Sequence, residues 1–175
     1  LMFYTIRDIQ PICHDLHAAG QRIVLSTGFF DLLHSEHINF LKAARAEGDI
    51  LIVAVESDLR ARKLKGEGRP IETQVVRARN LLSLTDKTET LKNRHADTPK
   101  STKVVDFAIL LPDDFDQPTH HESLISAVKP DIFAISEHTF HQDEKQSLVV
   151  KHGGELKIVH PHNPAVSTTQ LLSQK

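Results

Sequence analysis

The residues of this chain best suited to do chemistry lie in one short stretch, Ile23 to His37, which reads IVLSTGFFDLLHSEH. An apolar run ends in Thr27-Gly28, and Asp31, His34 and His37 follow closely. A helix that opens after a glycine turn presents backbone N–H groups without intrahelical partners, and its dipole favours negative charge there. His34 and His37 stand at i and i+3, so on a helix they share a face and direct imidazole donors at the same spot. The chemistry this predicts is the handling of phosphates, with a nucleoside triphosphate as ligand. Two histidines on one helical face could also hold zinc. That needs further Cys, His or carboxylate ligands at a recognised spacing, and none of the other histidines stands in such a spacing with this pair. The glycine turn and Asp31 favour phosphate over zinc.

Two further sets carry chemistry. Lys63, Lys65, Arg69 and Arg77 follow the second apolar run. Such a charge run is ordinarily a solvated loop. Its functional reading is a clamp on triphosphate oxygens, where charge-assisted hydrogen bonds are strong. Gly66, Gly68 and Pro70 lie among these charges, so Glu56 to Pro70 is expected to be a mobile loop able to close as a lid. Near the end stand Ser167, Thr168 and Thr169. Ser167 suffices as an N-cap, and the run of hydroxyls with free N–H groups could form a second phosphate cradle.

Alternating helices and strands must position these groups. Helical spacing is expected over Ile6–Ala19, with Gly20 as stop signal, over His34–Glu47 ended by Gly48, over Glu72–Leu84, Pro118–Val128 and Asp143–His152, and over a last helix, Ser167–Ser173. Strands are expected at Ile23–Ser26, Ile50–Val55, Val104–Leu110, Asp131–Ile135 and Glu155–Val159. Ile50–Val55 is unbroken and apolar, as a central parallel strand should be. The polar segment near residues 86–103 reads as an exposed insertion. The pattern predicts an α/β fold with a mostly parallel five-stranded sheet and helices on both faces. Right-handed crossovers would bring the glycine turn, the basic loop and the Ile135–His138 segment to one edge of that sheet.

A chain of 175 residues implies a single domain. With a net charge of -2 it shows no basic face for nucleic acid, so anionic ligands must be met by local groups. Cys13 stands alone and permits no intramolecular disulfide, and no secretory segment is evident, which favours the cytoplasm. No apolar run approaches the roughly 18–20 residues of a membrane span.

GFFDLLHSEH resembles the G-x-F-D-x-x-H-x-G-H signature of the cytidylyltransferase-like nucleotidyltransferases. LKGEGRPI with Arg77, KPD at Lys129–Asp131, GGEL at Gly153–Leu156 and VSTTQLL follow in the order that family shows. The likeness runs from about Ile6 to Leu172. It is nearest to the adenylyltransferase domain of ADP-heptose synthesis, then to glycerol-3-phosphate and ethanolamine-phosphate cytidylyltransferases. The resemblance implies a Rossmann-like three-layer fold. It also implies in-line attack by a substrate phosphate on the α-phosphorus of CTP or ATP, releasing pyrophosphate. By position, His34, His37 and Lys65 would act on the transferring phosphates. Thr27, Gly28, Phe29, Arg77, Ser167, Thr168 and Thr169 would hold the nucleotide, and Asp31 would contact the acceptor or orient the site. Magnesium would be carried by the triphosphate rather than by protein ligands, and a homodimer is expected by resemblance.

The chain departs from the family pattern twice. Glu36 replaces the glycine of H-x-G-H, and Ile135-Ser136-Glu137-His138 replaces a K-G-G-D-like segment. A glutamate there adds bulk and negative charge beside phosphates, which weakens binding unless its side chain points away. These departures motivate a second reading, a catalytically weakened or inactive relative serving as a nucleotide-binding or protein-interaction module.

Overall fold

The computed structural model describes residues 2–86, 102–137, 139 and 141–161. The chain opens with α1 (Ile6–Ala18), where Thr5 and Asp8 cap the helix reciprocally through side chain and backbone. Next come β1 (Ile23–Gly28), α2 (Ser35–Arg45), β2 (Ile50–Val55), α3 (Asp58–Lys65) and α4 (Gln74–Leu82). A two-residue antiparallel ribbon joins β3 (Thr85–Asp86) to β4 (Thr102–Lys103). The described chain then continues through β5 (Phe107–Leu110), α5 (Pro118–Val128), β6 (Ile132–Ser136), α6 (Gln142–Lys151) and β7 (Glu155–His160).

The main sheet has the order β5-β2-β1-β6-β7, and every pairing in it is parallel. Because side chains alternate along a strand, each inner strand feeds two cores. Ile23, Leu25, Ile52, Ala54 and Phe133 pack with Ile9 and Cys13 of α1 and Leu124 and Ile125 of α5. Val24, Val53, Val55 and Ala134 pack with Phe40 and Leu41 of α2 and Ala78 and Leu81 of α4. The result is three layers, helix, sheet, helix. Covering of both faces is what the unbroken apolar run of β2 requires.

Carboxylates pin the edge where the strands begin. Asp131 accepts from the Ile23 amide at 2.7 Å, and Asp106 accepts from the Leu51 amide at 2.8 Å. At the opposite edge the strand order reverses between β1 and β6, the position at which open parallel sheets form a crevice for ligands.

Several expectations are corrected. Asp58–Lys65 is a helix rather than a mobile loop: the Ser57 hydroxyl accepts from the Arg60 amide, the residues DLRARKLK favour helix, and Gly66 follows at φ 94°. α2 begins at Ser35 with His34 as its N-cap, and α4 begins at Gln74 with Thr73 as its cap. β1 runs on to Gly28, and β5 starts only at Phe107 because the Asp106 carboxylate turns back to Leu51. The flanks of the expected insertion pair with each other as the ribbon, and residues 87–101 lie outside the described residues. So does the expected helix Ser167–Ser173.

Candidate active site

β1 delivers Thr27 and Gly28 to the crevice edge, beside β2 through Gly28↔Val55. The chain then turns sharply, with Phe30 and Leu32 both at positive φ, 51° and 52°. Such backbone is sparsely populated by residues with a Cβ and persists where the surroundings fix it. Phe30 folds back over Gly28 so closely that a Cβ there would lie 2.8 Å from its ring. The same Phe30 ring meets His37 edge-on at 5.4 Å between centroids. Gly28 is thus small because Phe30 must pass it to support an imidazole.

α1, α3 and α4 begin on hydroxyl caps from Thr5, Ser57 and Thr73. α2, like α5 and α6, has an N-cap, here His34, that makes no side-chain cap hydrogen bond. The first-turn amides of α2 therefore keep their donors for something else. His34 and His37 stack over this turn, with centroids 3.8 Å apart and planes at 20°. Nδ1 of each ring is buried, with no hydrogen-bond partner among the described residues. Burial pushes His37 down to about 4, helped by His34 and Lys65 and opposed by Asp31. Burial also lowers His34, opposed by Glu36. Both rings are consequently neutral near pH 7, each able to donate from one nitrogen.

Lys65 lies at the C-terminal end of α3, its Nζ 5.7 Å from the centroid of the Phe29 ring. Asp31 is buried and accepts from the amides of Ile71 and Glu72 at 3.0–3.1 Å, with the Arg69 guanidinium at 2.9 Å. Its carboxylate thereby ties the loop after α3 to the β1 turn. Arg77 departs from the expected nucleotide contact. It is 0% exposed, and its guanidinium donates to the carbonyls of Phe29, Glu56 and Glu72 and to Asp58 at 2.5–3.0 Å. With those donors engaged, Arg77 fixes the β1 turn against α3 and α4 from beneath.

The structure thus brings Thr27, Gly28, Phe29, Asp31, His34, His37 and Lys65 to one place, with Arg77 below. Ser167, Thr168 and Thr169 lie outside the described residues. Lys63 turns elsewhere, to Asp116 at 2.9 Å. Among the described residues, no group of three or more His, Cys, Asp or Glu is placed to hold a metal ion.

Sequence reasoning missed Gln74, Glu56 and, as the partner of Glu36, His160. Gln74 donates to the carbonyls of Val55 and Leu111 at 2.8 Å each, closing the ends of β2 and β5. Glu56 follows β2, its amide donating to the Gly28 carbonyl at 3.0 Å and its carboxylate paired with Arg60 at 2.8 Å. Burial raises the Glu56 carboxyl against the pull of Arg60, and burial lowers the Lys145 ammonium. The i, i+4 spacing of Glu56 and Arg60 was the one visible signal for this pair. Finally, Glu36 does not face the imidazoles' ligand side unpartnered. Its Oε2 lies 3.0 Å from His160 Nε2 at the end of β7.

Comparison with known proteins places this geometry. Residues 25–171 match the cytidylyltransferase-like family. The bifunctional protein HldE of Nitratiruptor sp. is 39% identical over 71% of this chain, and that of Azotobacter vinelandii is 34% identical over 83%. The chain spans only 22–26% of the length of these two relatives. Among solved structures, the lipopolysaccharide core biosynthesis protein from Thermoplasma volcanium superposes with a TM-score of 0.57 at 32% identity, over 81% of this chain and 96% of that one. A pantoate-beta-alanine ligase from Francisella tularensis, at 12% identity and a TM-score of 0.54 over 98% of this chain and 73% of its own, shares the fold. A parallel sheet with the order β5-β2-β1-β6-β7, an uncapped helix bearing stacked imidazoles, and these matches together establish that the chain belongs to the cytidylyltransferase-like family.

Proposed function

We propose that this protein is a nucleotidyltransferase that moves CMP or AMP from a nucleoside triphosphate to a small phosphorylated metabolite, such as a sugar or polyol phosphate, and releases pyrophosphate. The observation that carries this reading is the stacking of two imidazoles at the uncapped start of α2, with the Lys65 ammonium by the Phe29 ring and near enough to lower His37.

A phosphate oxygen of the acceptor attacks the α-phosphorus in line. One P–O bond forms, the α–β anhydride bond breaks, and pyrophosphate departs. The acceptor phosphate is already a nucleophile, so the protein's part is positioning and charge stabilisation. The imidazoles of His34 and His37 donate to oxygens around the α-phosphorus, while Lys65 and the α2 amides meet charge on the leaving phosphates. Thr27, Gly28 and Phe29 form the floor, Asp31 holds the adjoining loop, and Arg77 fixes the floor from beneath. Ser167, Thr168 and Thr169 are assigned to the distal phosphates by resemblance. Magnesium enters as part of the substrate, on phosphate oxygens.

Glu36 favours one rival, a relative that binds nucleotides without transferring them. Incubation with magnesium, CTP or ATP, and a panel of sugar and polyol phosphates separates the two. Pyrophosphate release that depends on one acceptor class supports the transferase. Nucleotide binding with no release from any pair supports the rival.

A further inference from the structure

Strand β7 contains an irregularity beside the site. Ile135 pairs with Ile158, yet the next residue, Ser136, pairs with His160, so Val159 is an extra residue. Along a regular strand successive side chains point to opposite faces. Here Val159 packs into the core beneath α2, and His160, the next residue, also reaches α2, bonding Glu36. A bulge re-aims side chains in this way. The irregularity places an imidazole opposite the one carboxylate in the first turn of α2.

That carboxylate stands where it is least wanted. Glu36 lies between His34 and His37, on the turn whose amides and imidazoles favour anions. Its charge reaches His34. Swung toward the ligand side, it would repel polyphosphate, and at short range in a half-buried site such a charge is weakly screened. Glu36 and His160 are both about four-fifths covered, with side-chain exposures of 20% and 19%, so the contact is shielded from bulk water.

We propose that Glu36 and His160 form a latch that holds this negative charge away from the phosphate site, making His160 a positioning residue for polyphosphate binding. The latch also ties the turn bearing His34 and His37 to the last strand of the sheet. The inference rests on the nucleotidyltransferase reading for its ligand, but the pair itself does not depend on it.

The test is calorimetric titration of the purified protein with CTP and with ATP in the presence of magnesium. His160→Ala is expected to weaken binding about tenfold, the scale of one released charge near the phosphates. His160→Gln keeps an N–H donor and is expected to stay within about twofold of the parent. The double variant Glu36→Gly with His160→Ala is expected to recover parental affinity or better, which a merely structural role for His160 would not produce. Independently of nucleotide, the His160 imidazole nitrogen resonances are expected to move on Glu36→Gln. Unchanged affinity in His160→Ala, or a double variant as weak as the single one, overturns the proposal. A parent protein that binds neither triphosphate overturns the proposed function and the latch's service to phosphate. In that case a His160 resonance responsive to Glu36→Gln shows that the pair stands and only its ligand was misassigned.

Discussion

The rings of His34 and His37 lie face to face, 3.8 Å between centroids, on the first turn of a helix that no hydroxyl caps. Stacking makes each ring the support of the other. Substitution of either is expected to remove its own hydrogen bond and loosen its neighbour. His34→Ala and His37→Ala should each lower turnover by well over tenfold, the scale of losing one donor to a transition-state oxygen. The double variant should lose less than the product of the two. Steady-state pyrophosphate release measures this, and mild single effects would exclude the pair as charge stabilisers.

Burial of His37 has a consequence for stability. The folded imidazole titrates near 4 and the unfolded one near 6.5, so the unfolded chain binds the extra proton first. The contribution is full above pH 6.5 and is lost as pH falls toward 4, on the order of 3 kcal/mol across that window. Urea unfolding at pH 7 and pH 5 is expected to show the decline, and His37→Phe should flatten it. A His37→Phe slope equal to the parent's would assign the decline to other groups.

Arg77 is buried, and its guanidinium donates to the carbonyls of Phe29, Glu56 and Glu72 and to Asp58. Arg77→Met leaves these acceptors unmet and should destabilise the fold by about 3 kcal/mol. It should also reduce turnover in the fraction that remains folded, because the β1 turn is no longer held. Arg77→Lys supplies a point charge without the fork and is expected to rescue little of either. Full activity in a folded Arg77→Met protein would contradict this.

Gly28→Ala places a methyl 2.8 Å from the Phe30 ring. The ring must shift, and it is the edge support of His37. We expect a stability loss of about 1–3 kcal/mol, the usual cost of overpacking, with a larger proportional fall in kcat than in KM. A second substitution, Phe30→Leu, frees space beside the methyl and should restore stability without restoring turnover. Recovery of both would show that Phe30 does not position the imidazole.

The layered fold was legible because its signals are local. Unbroken apolar runs such as Ile50–Val55 and glycine stops such as Gly48 name parallel strands and helix ends without tertiary information. The imidazole pair was legible for the same reason, since i, i+3 spacing after a glycine turn is written within one element. Helix α3 was misread because glycines, a proline and a crowd of charges outweighed the Ser57 cap and the run of good helix formers after it. Arg77 was misread because a basic residue carries no mark of its burial: only the fold brings three carbonyls from distant segments around its guanidinium. The contact between Glu36 and His160 joins residues 124 positions apart and depends on the break in register at Ser136, for which the strand's own residues give no local warning.

Lys65 rides on the last turn of a capped helix, so the backbone that carries it has its place before any substrate arrives. Ordering that a flexible tether would undergo during association is completed when the chain folds, and capture of a polyanion is correspondingly less opposed by lost chain freedom. As a capped helix, residues 58–65 would cover the site as a rigid unit rather than by bending as a loop.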